Sequence, residues 1–262
     1  MSIALNMITG PFDEPFLKAS IASCYDLCDE FVFVDTAPGN NPNRAVLEEF
    51  RDIENLNGII DGDDKPVKIL ELPRGEDKDF SFAAARELAR INTDSEWVLR
   101  LDADEVFHEK YIEKLKEQVS VATDFNAIKI RLWNHYLNPN LISLMYGRDI
   151  YSQYVLMRTA SFTWISNIHE LPSVANEPYL CPGDIRYNHY GYCKSAQAIK
   201  NRWILYNKLG GLVNTSLDVE NIDEKNFLET IVDTTKLVDY KEEHPPIIIP
   251  KLKELFPGSD FK

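Results

Sequence analysis

Residues 97–107 read WVLRLDADEVF. This apolar run has the length of a buried strand, is interrupted only by Arg100, and ends in three acids: Asp102, Asp104 and Glu105. The whole chain carries 42 acidic against 28 basic residues, a formal net charge of -14, so acids grouped at one point repel one another. Carboxylates in this position therefore need a compensating positive charge.

Strand-like and helix-like segments alternate four times in the first part of the chain. The predicted strands are SIALNMIT (2–9), EFVFVDT (30–36), VKILELP (67–73) and EWVLRLDADEVF (96–107). The predicted helices are FLKASIASCYDLC (16–28), RAVLEEFRDIENL (44–56), FSFAAARELARIN (80–92) and EKYIEKLKEQV (109–119). This alternation is typical of an α/β fold with a mostly parallel sheet and flanking helices.

The pattern changes after residue 125. NAIKIRLWNHYL (126–137) and YSQYVLMRTA (151–160) are aromatic and strand-like, and GYCKSAQAIKNRWILYNKLG (191–210) is again helical. From about residue 213 the chain is polar and helical in pattern. We therefore predict one main domain over residues 1–205 and a C-terminal helical extension over residues 206–262.

Composition limits the possible partners and the location. An acidic chain repels phosphate backbones and anionic lipids, so we expect no nucleic-acid partner. The sequence contains no apolar stretch of membrane-spanning length, and MSIALNMITG lacks the features of a secretion signal. The four cysteines, at 24, 28, 181 and 193, lack the spacing of a zinc site. We expect a cytoplasmic protein.

The acids fall where ligands collect in an open α/β sheet, at the carboxyl ends of strands. Asp35 ends the second predicted strand, and Asp102 and Asp104 end the fourth. Acids two apart in an extended segment point the same way, so they can share one hard cation such as Mg²⁺ or Mn²⁺, which then bridges to phosphate oxygens. Acids at a helix N-terminus would be the alternative explanation.

Four blocks of the sequence, in this order and spacing, resemble the family 2 glycosyltransferases of GT-A fold: EFVFVDT, FSFAAAR, EWVLRLDADE and ISNIHELP. The resemblance covers residues 3–200. It implies a GT-A fold with a nucleotide-binding half over residues 1–125 and an acceptor half over residues 126–205. It further implies metal-dependent, inverting transfer of a sugar from a nucleotide-diphosphate donor to a glycan or lipid-linked saccharide.

The resemblance also implies roles for single residues on the donor side. Asp35 is similar to the acid that contacts the base or ribose of the nucleotide. Arg86 resembles the arginine that lies near the base and phosphates. Asp102 is similar to the acid on the ribose or metal side, and Asp104 to the main ligand of Mn²⁺ or Mg²⁺.

Two further residues are implied in catalysis and metal binding. Glu170 resembles the carboxylate that takes the proton of the acceptor hydroxyl, and Asp149 is the next candidate for this base. His189 lies where the resemblance implies a further contact to metal or diphosphate, although on pattern alone its tyrosine-rich surroundings are more typical of a packed histidine than of a ligand. His135 could line a sugar-binding wall or be structural.

The sequence departs from the family pattern at two places on the nucleotide side. GPFDEP (10–15) replaces the Asn-Glu pair that the family has after its first strand, so Asp13 or Glu14 could stand in for it. APGNNPN (37–43) replaces the Gly-Ser-Thr-Asp turn after Asp35. The identity of the base is therefore the least determined feature.

Other classes of protein remain open on the sequence. LRLDADEV also fits a haloacid-dehalogenase phosphatase, in which Asp102 would be the nucleophile and Asp104 the general acid. At least three predicted strands precede this one, whereas that nucleophile ends the first core strand. A non-catalytic, GT-A-like module that binds nucleotide sugars is the other alternative.

Overall fold

The structure is a computed structural model, and it describes residues 1–12, 14–52, 65–73, 81–143, 152–164, 172–173, 178–208 and 237–261. Its strands are β1 Ile3–Thr9, β2 Glu30–Asp35, β3 Val67–Glu71, β4 Trp97–Arg100, β5 Glu105–Phe107, β6 Ala127–Tyr136, β7 Asn138–Ser143, β8 Ser152–Arg158, β9 Tyr179–Leu180, β10 Arg186–Tyr192 and β11 Leu237–Asp239. Its helices are α1 Leu17–Ser23, α2 Arg44–Arg51, α3 Phe82–Ile91, α4 Ile112–Val121, α5 Ala196–Lys208 and α6 Ile249–Leu255.

The parallel half of the sheet has the strand order β4-β1-β2-β3. Asn6 pairs with Arg100 and Thr9 with Asp35, so the strands on either side of β1 end at the same edge of the sheet. We call the edge formed by the C-terminal ends of β1, β2 and β4 the carboxyl edge. The predicted acids after β2 and β4 therefore lie along one edge, as the sequence indicates.

The parallel half of the sheet lies between two layers of helices, and these layers bury both faces of β2. Phe31 and Phe33 pack with side chains of α1, α2 and α4, whereas Val32 and Val34 pack against Ala85 and other residues of α3. Alternate residues of a strand point to opposite faces, so an uninterrupted apolar run suits a strand with helices on both sides. The predicted α/β class is confirmed.

The antiparallel half is organised around the long strand β6. It pairs antiparallel with β7 and β8 and parallel with β9 and β10, and β8 connects it to β4. The predicted strand over residues 96–107 is two strands rather than one, because a turn at residues 101–104 separates β4 from β5. β5 pairs with β10 instead of with the parallel strands.

The described C-terminal residues pack onto the sheet. β11 pairs antiparallel with β7, and Ile248 and Leu252 are buried beside Phe16 of the β1–α1 loop and Tyr190 of β10. Helix α5 continues past the predicted boundary at residue 205 to Lys208. Residues 209–236 lie outside the described residues, so the predicted division into domain and extension stays a prediction. Within the described ranges, every helix is too short or too polar to cross a bilayer.

Two buried histidines join the C-terminal residues to the antiparallel half. His135 stacks on Tyr190 with ring centroids 4.5 Å apart, and its Nδ1 donates to the carbonyl of Pro139 at 2.6 Å. His244 Nδ1 lies 2.9 Å from the Tyr190 hydroxyl. Burial lowers the pKa of His135 to about 3 and that of His244 to about 4. His135 is fully buried, which fits its structural alternative rather than a sugar-binding wall.

We expect the free energy of unfolding to fall as the pH is lowered from about 6.5 to 4. In the folded protein His135 and His244 stay neutral, whereas in the unfolded chain they are protonated below their ordinary pKa of about 6.5. The unfolded state therefore binds more protons, and lowering the pH favours it. Each histidine contributes a slope of about 1.4 kcal/mol per pH unit. Urea unfolding of the wild type and of His244→Gln at several pH values measures this, and equal slopes would contradict the assignment.

Candidate active site

Arg86 reaches the carboxyl edge from inside α3. Ser81 caps this helix by accepting a hydrogen bond from the Ala84 amide at 3.2 Å, and alanines on the buried face bring the helix close to the sheet. The Arg86 side chain is 1% exposed; its guanidinium donates to the carbonyl of Asn6 at 3.0 Å and to the carboxylate of Asp102. A predicted donor-side pair, Arg86 and Asp102, is thus in direct contact.

Asp102 lies between two arginines. One carboxylate oxygen pairs with Arg86, and the other lies 3.2 Å from Arg100. Burial disfavours ionisation, but the positive charges of Arg100 and Arg86 outweigh it and hold the pKa of Asp102 below its usual value. The side chain keeps 39% of its surface exposed, so it can still meet a ligand.

Glu105 closes the turn between β4 and β5. Its Oε2 accepts from the Asp102 amide at 2.8 Å, and its Oε1 lies 3.4 Å from Arg100. The residue is 2% exposed, and burial raises the pKa of Glu105 to about 7 despite the nearby arginine. The third acid of the run therefore shapes the backbone on which Asp102 and Asp104 stand.

Asp104 is surrounded by positive charge. Its Oδ2 lies 3.0 Å from Arg202 and 3.5 Å from Lys194, and its Oδ1 lies 3.5 Å from His189 Nε2. Burial opposes ionisation of this carboxyl, which is 3% exposed, but Arg202 and Lys194 hold its pKa well below the usual value. The positively charged side chains around Asp104 thus offset the repulsion between the acids that follow β4.

His189 is held against Asp104 from β10. Its Nδ1 lies 2.7 Å from Asn134 Oδ1 on the neighbouring strand β6. Burial disfavours the charged imidazole, but the carboxylates led by Asp104 outweigh it and raise the pKa of His189. Gly191 is needed beside them, because a Cβ there would lie 2.6 Å from His189 Nε2 and 3.1 Å from Asp104 Oδ2.

Glu14 is the acid of the GPFDEP loop that reaches this site. Its carboxylate pairs with both Lys194 and Arg202, and its amide donates to Asn43 Oδ1 at 3.0 Å. Asp13 lies outside the described residues. Of the two acids considered as substitutes for the family's Asn-Glu pair, Glu14 is the one with an observed connection to Asp104, through the two cations.

Asp35 organises the loop after β2. It is fully buried; Oδ1 accepts from the Ala37 amide and from Asn41 Nδ2, both at 2.9 Å, and Oδ2 lies 3.2 Å from Arg44. Asn41 also donates to Thr9 Oγ1 at 2.9 Å, which ties this loop to the end of β1. Contact between Asp35 and a nucleotide stays a prediction.

The structure brings together two predicted pairs, Arg86 with Asp102 and Asp104 with His189, while Glu170 and Asp149 lie outside the described residues. Sequence reasoning did not assign Arg100, Lys194 or Arg202 to the site. Arg100 has a visible signal, since it is the one charge inside the apolar run. The other two come after the predicted site histidine, with no spacing that marks them.

The described residues offer too few ligands to hold a divalent cation by themselves, so such a cation would also need oxygens from a substrate phosphate. In the part of the chain that the structure describes, no group of three or more His, Cys, Asp or Glu side chains could hold a metal ion. Asp104 and His189 offer two donors 3.5 Å apart, whereas both oxygens of Asp102 face arginines. Two protein ligands suffice for Mg²⁺ or Mn²⁺ when a substrate phosphate supplies others.

Comparison with known families settles the class of protein. A sequence model described as glycosyl transferase family 2 matches residues 11–155, which is more than half of the chain. The chain belongs to glycosyl transferase family 2. It is therefore a glycosyltransferase of GT-A fold that uses a nucleotide-sugar donor, and the phosphatase alternative has no support.

The family 2 chain is also similar to solved structures of S. aureus TarS. It is 12% identical to TarS 1-349, with a TM-score of 0.46, over 87% of this chain and 69% of that one. It is 14% identical to TarS 1-349 in complex with UDP-GlcNAc, with a TM-score of 0.47, over 87% and 70% of the two chains. A comparison with curated proteins finds no match.

Proposed function

We propose that this family 2 enzyme is a metal-dependent, inverting glycosyltransferase whose acceptor is a hydroxyl of a glycan or lipid-linked saccharide. The observation that carries the proposal is the contact of Asp104 with His189, next to the Arg86–Asp102 ion pair at the carboxyl edge. Asp104 and His189 would hold Mn²⁺ or Mg²⁺. Bound there, the cation would supply charge neutralisation for the diphosphate leaving group.

The side chains of the carboxyl edge have separate tasks in this proposal. Arg86 and Asp102 orient the nucleoside and the adjoining phosphate, and Arg100 keeps Asp102 ionised through its positive charge. Asp35 fixes the loop against which the base would lie. These contacts are made before the donor arrives, and preorganisation of this kind lowers the barrier to reaction.

Glu170 is proposed as the general base. The acceptor oxygen attacks the anomeric carbon as the proton of its hydroxyl passes to the Glu170 carboxylate. The bond from the anomeric carbon to the diphosphate oxygen breaks, and the nucleoside diphosphate leaves with the electron pair. A single displacement on the face opposite the leaving group inverts the anomeric configuration.

A thermal-shift panel of UDP-, GDP- and dTDP-sugars with and without Mn²⁺ tests the proposal, followed by donor hydrolysis and transfer assays. We expect one donor to raise the melting temperature mainly when Mn²⁺ is present. Binding without turnover of any donor would favour the non-catalytic module. A shift that is identical with and without Mn²⁺ would contradict metal dependence.

Asp35→Asn is expected to weaken nucleotide binding by about the same factor with and without metal. An amide nitrogen in place of Oδ2 would face the Arg44 guanidinium, and one in place of Oδ1 would lose the hydrogen bonds from Ala37 and Asn41, so either orientation disturbs the loop after β2. Calorimetry with UDP or GDP measures the affinity. Glu71→Gln is a matched control, because Glu71 pairs with the same arginine at 3.0 Å but is 53% exposed. A loss confined to metal-loaded protein would place Asp35 among the metal ligands.

A further inference from the structure

Lys194 and Arg202 form, with Glu14 and Asp104, a cluster in which two positive charges face two negative ones. Lys194 pairs with both acids, and Arg202 does the same. The side chains of Glu14, Asp104 and Lys194 are less than 10% exposed, and that of Arg202 is 20% exposed. Since each cation is already balanced, a further anion can join the cluster only if a negative charge leaves or a positive charge enters.

A cavity of about 590 Å³ lies beside this cluster. Lys194 and Arg202 are on its wall, together with Ser195 and Asn201, whereas neither Glu14 nor Asp104 lines it. The rest of the wall is mostly apolar, including Phe12 and Phe256. A ligand in the cavity could therefore contact the two cations directly.

We infer that Lys194 and Arg202 bind the diphosphate of the donor, and that Glu14 occupies these cations until the donor replaces it. The inference rests on the proposed function and adds residues to the same site. A diphosphate resembles the carboxylates in offering oxygen acceptors to both side chains, and it carries more charge. The negative charge of Glu14 would repel the diphosphate. Binding is therefore favoured only if the Glu14 carboxylate moves away or a divalent cation binds at the same time.

Glu14 is better suited than Asp104 to give way. Asp104 stands on the turn between two strands, and its carbonyl accepts from the Tyr190 amide of β10 at 2.8 Å. Glu14 stands on the loop between β1 and α1, and its side chain has one more rotatable bond. Rotation of the Glu14 side chain would remove one of the two carboxylates that Lys194 and Arg202 share, without a change in the sheet, and would leave both cations with positive charge for a ligand in the cavity.

Titration of inorganic pyrophosphate into metal-free protein, followed by calorimetry, tests this inference without any nucleotide. Glu14→Gln nearly keeps the shape of the side chain but removes the competing charge and replaces one of the two oxygen acceptors by a donor, so we expect pyrophosphate to bind about ten-fold tighter than to the wild type. Glu49→Gln is the matched control. Glu49 pairs with Lys18 on the protein surface, and its loss changes the net charge equally.

Lys194→Gln is the reciprocal variant and is expected to weaken pyrophosphate binding by about ten-fold or more. If Glu14→Gln does not fold, this variant decides alone. Equal pyrophosphate affinity in the wild type and in each variant that folds, or weaker binding to Glu14→Gln, would overturn the inference and leave Glu14 as a structural link between the β1–α1 loop and α5. Separately, a wild-type protein that binds pyrophosphate but no nucleotide sugar would overturn the proposed function alone.

Discussion

Glu170→Gln is expected to keep donor affinity close to that of the wild type and to lose transfer activity by about 10²–10⁴-fold, the usual contribution of a general base. Glutamine has nearly the same shape as glutamate but cannot accept the proton of the acceptor hydroxyl. The proposed donor contacts are assigned to Arg86, Asp102 and Asp104 at the carboxyl edge, and Glu170 has no assigned part in them. The loss should therefore fall on kcat.

Transfer rate and donor affinity have to be measured on the same protein, by product formation and by calorimetry. Asp149→Asn is the comparison variant, because Asp149 is the next candidate for the base. Full transfer by Glu170→Gln together with loss in Asp149→Asn would move the base to Asp149. The anomeric configuration of the product, read by NMR, tests inversion independently of either variant.

The layer structure is predictable because its signals are local. The buried strand β2 and the alanine-rich helix α3 can be recognised from a few consecutive residues, since alternation of strand and helix follows from short-range periodicity. The division of residues 97–107 into β4 and β5 is not local. It depends on the Glu105 carboxylate, which folds back to the Asp102 amide, and on β10, which pairs with β5 from far along the chain.

The charges around Asp104 illustrate why the site is only partly predictable. From the sequence, we predict that a metal ion neutralises the acids. The structure instead shows Arg202, 98 residues further along the chain, 3.0 Å from the Asp104 carboxylate. Such a contact depends on where α5 lies relative to the turn between β4 and β5 in the folded protein. No spacing rule connects the two residues, so only the fold can pair them.

Asp104→Asn is expected to abolish the part of nucleoside-diphosphate affinity that depends on Mn²⁺. In the proposed pair of metal ligands, Asp104 supplies the negatively charged oxygen and His189 supplies a ring nitrogen. An amide is a poorer ligand for a divalent cation than a carboxylate. Mutation of a residue that hydrogen-bonds to a metal ligand typically lowers the affinity for the metal by about 10–100-fold. Loss of the ligand itself should therefore lower the metal affinity by at least about 100-fold. Calorimetry of UDP and GDP with and without Mn²⁺ measures both parts.

The metal-free part of the affinity should behave in the opposite way. The sequence suggests that removing an acid here relieves repulsion, but Asp104 faces Arg202, Lys194 and His189, so its removal leaves positive charge in excess. We expect lower stability and equal or tighter metal-free binding of a nucleoside diphosphate in Asp104→Asn. Asp184→Asn is the matched control, since Asp184 is 67% exposed and pairs only at the surface with Lys114. Retention of the full Mn²⁺ effect in Asp104→Asn would show that the cation binds elsewhere, and it would leave Asp104 as the residue that holds α5 and β10 together.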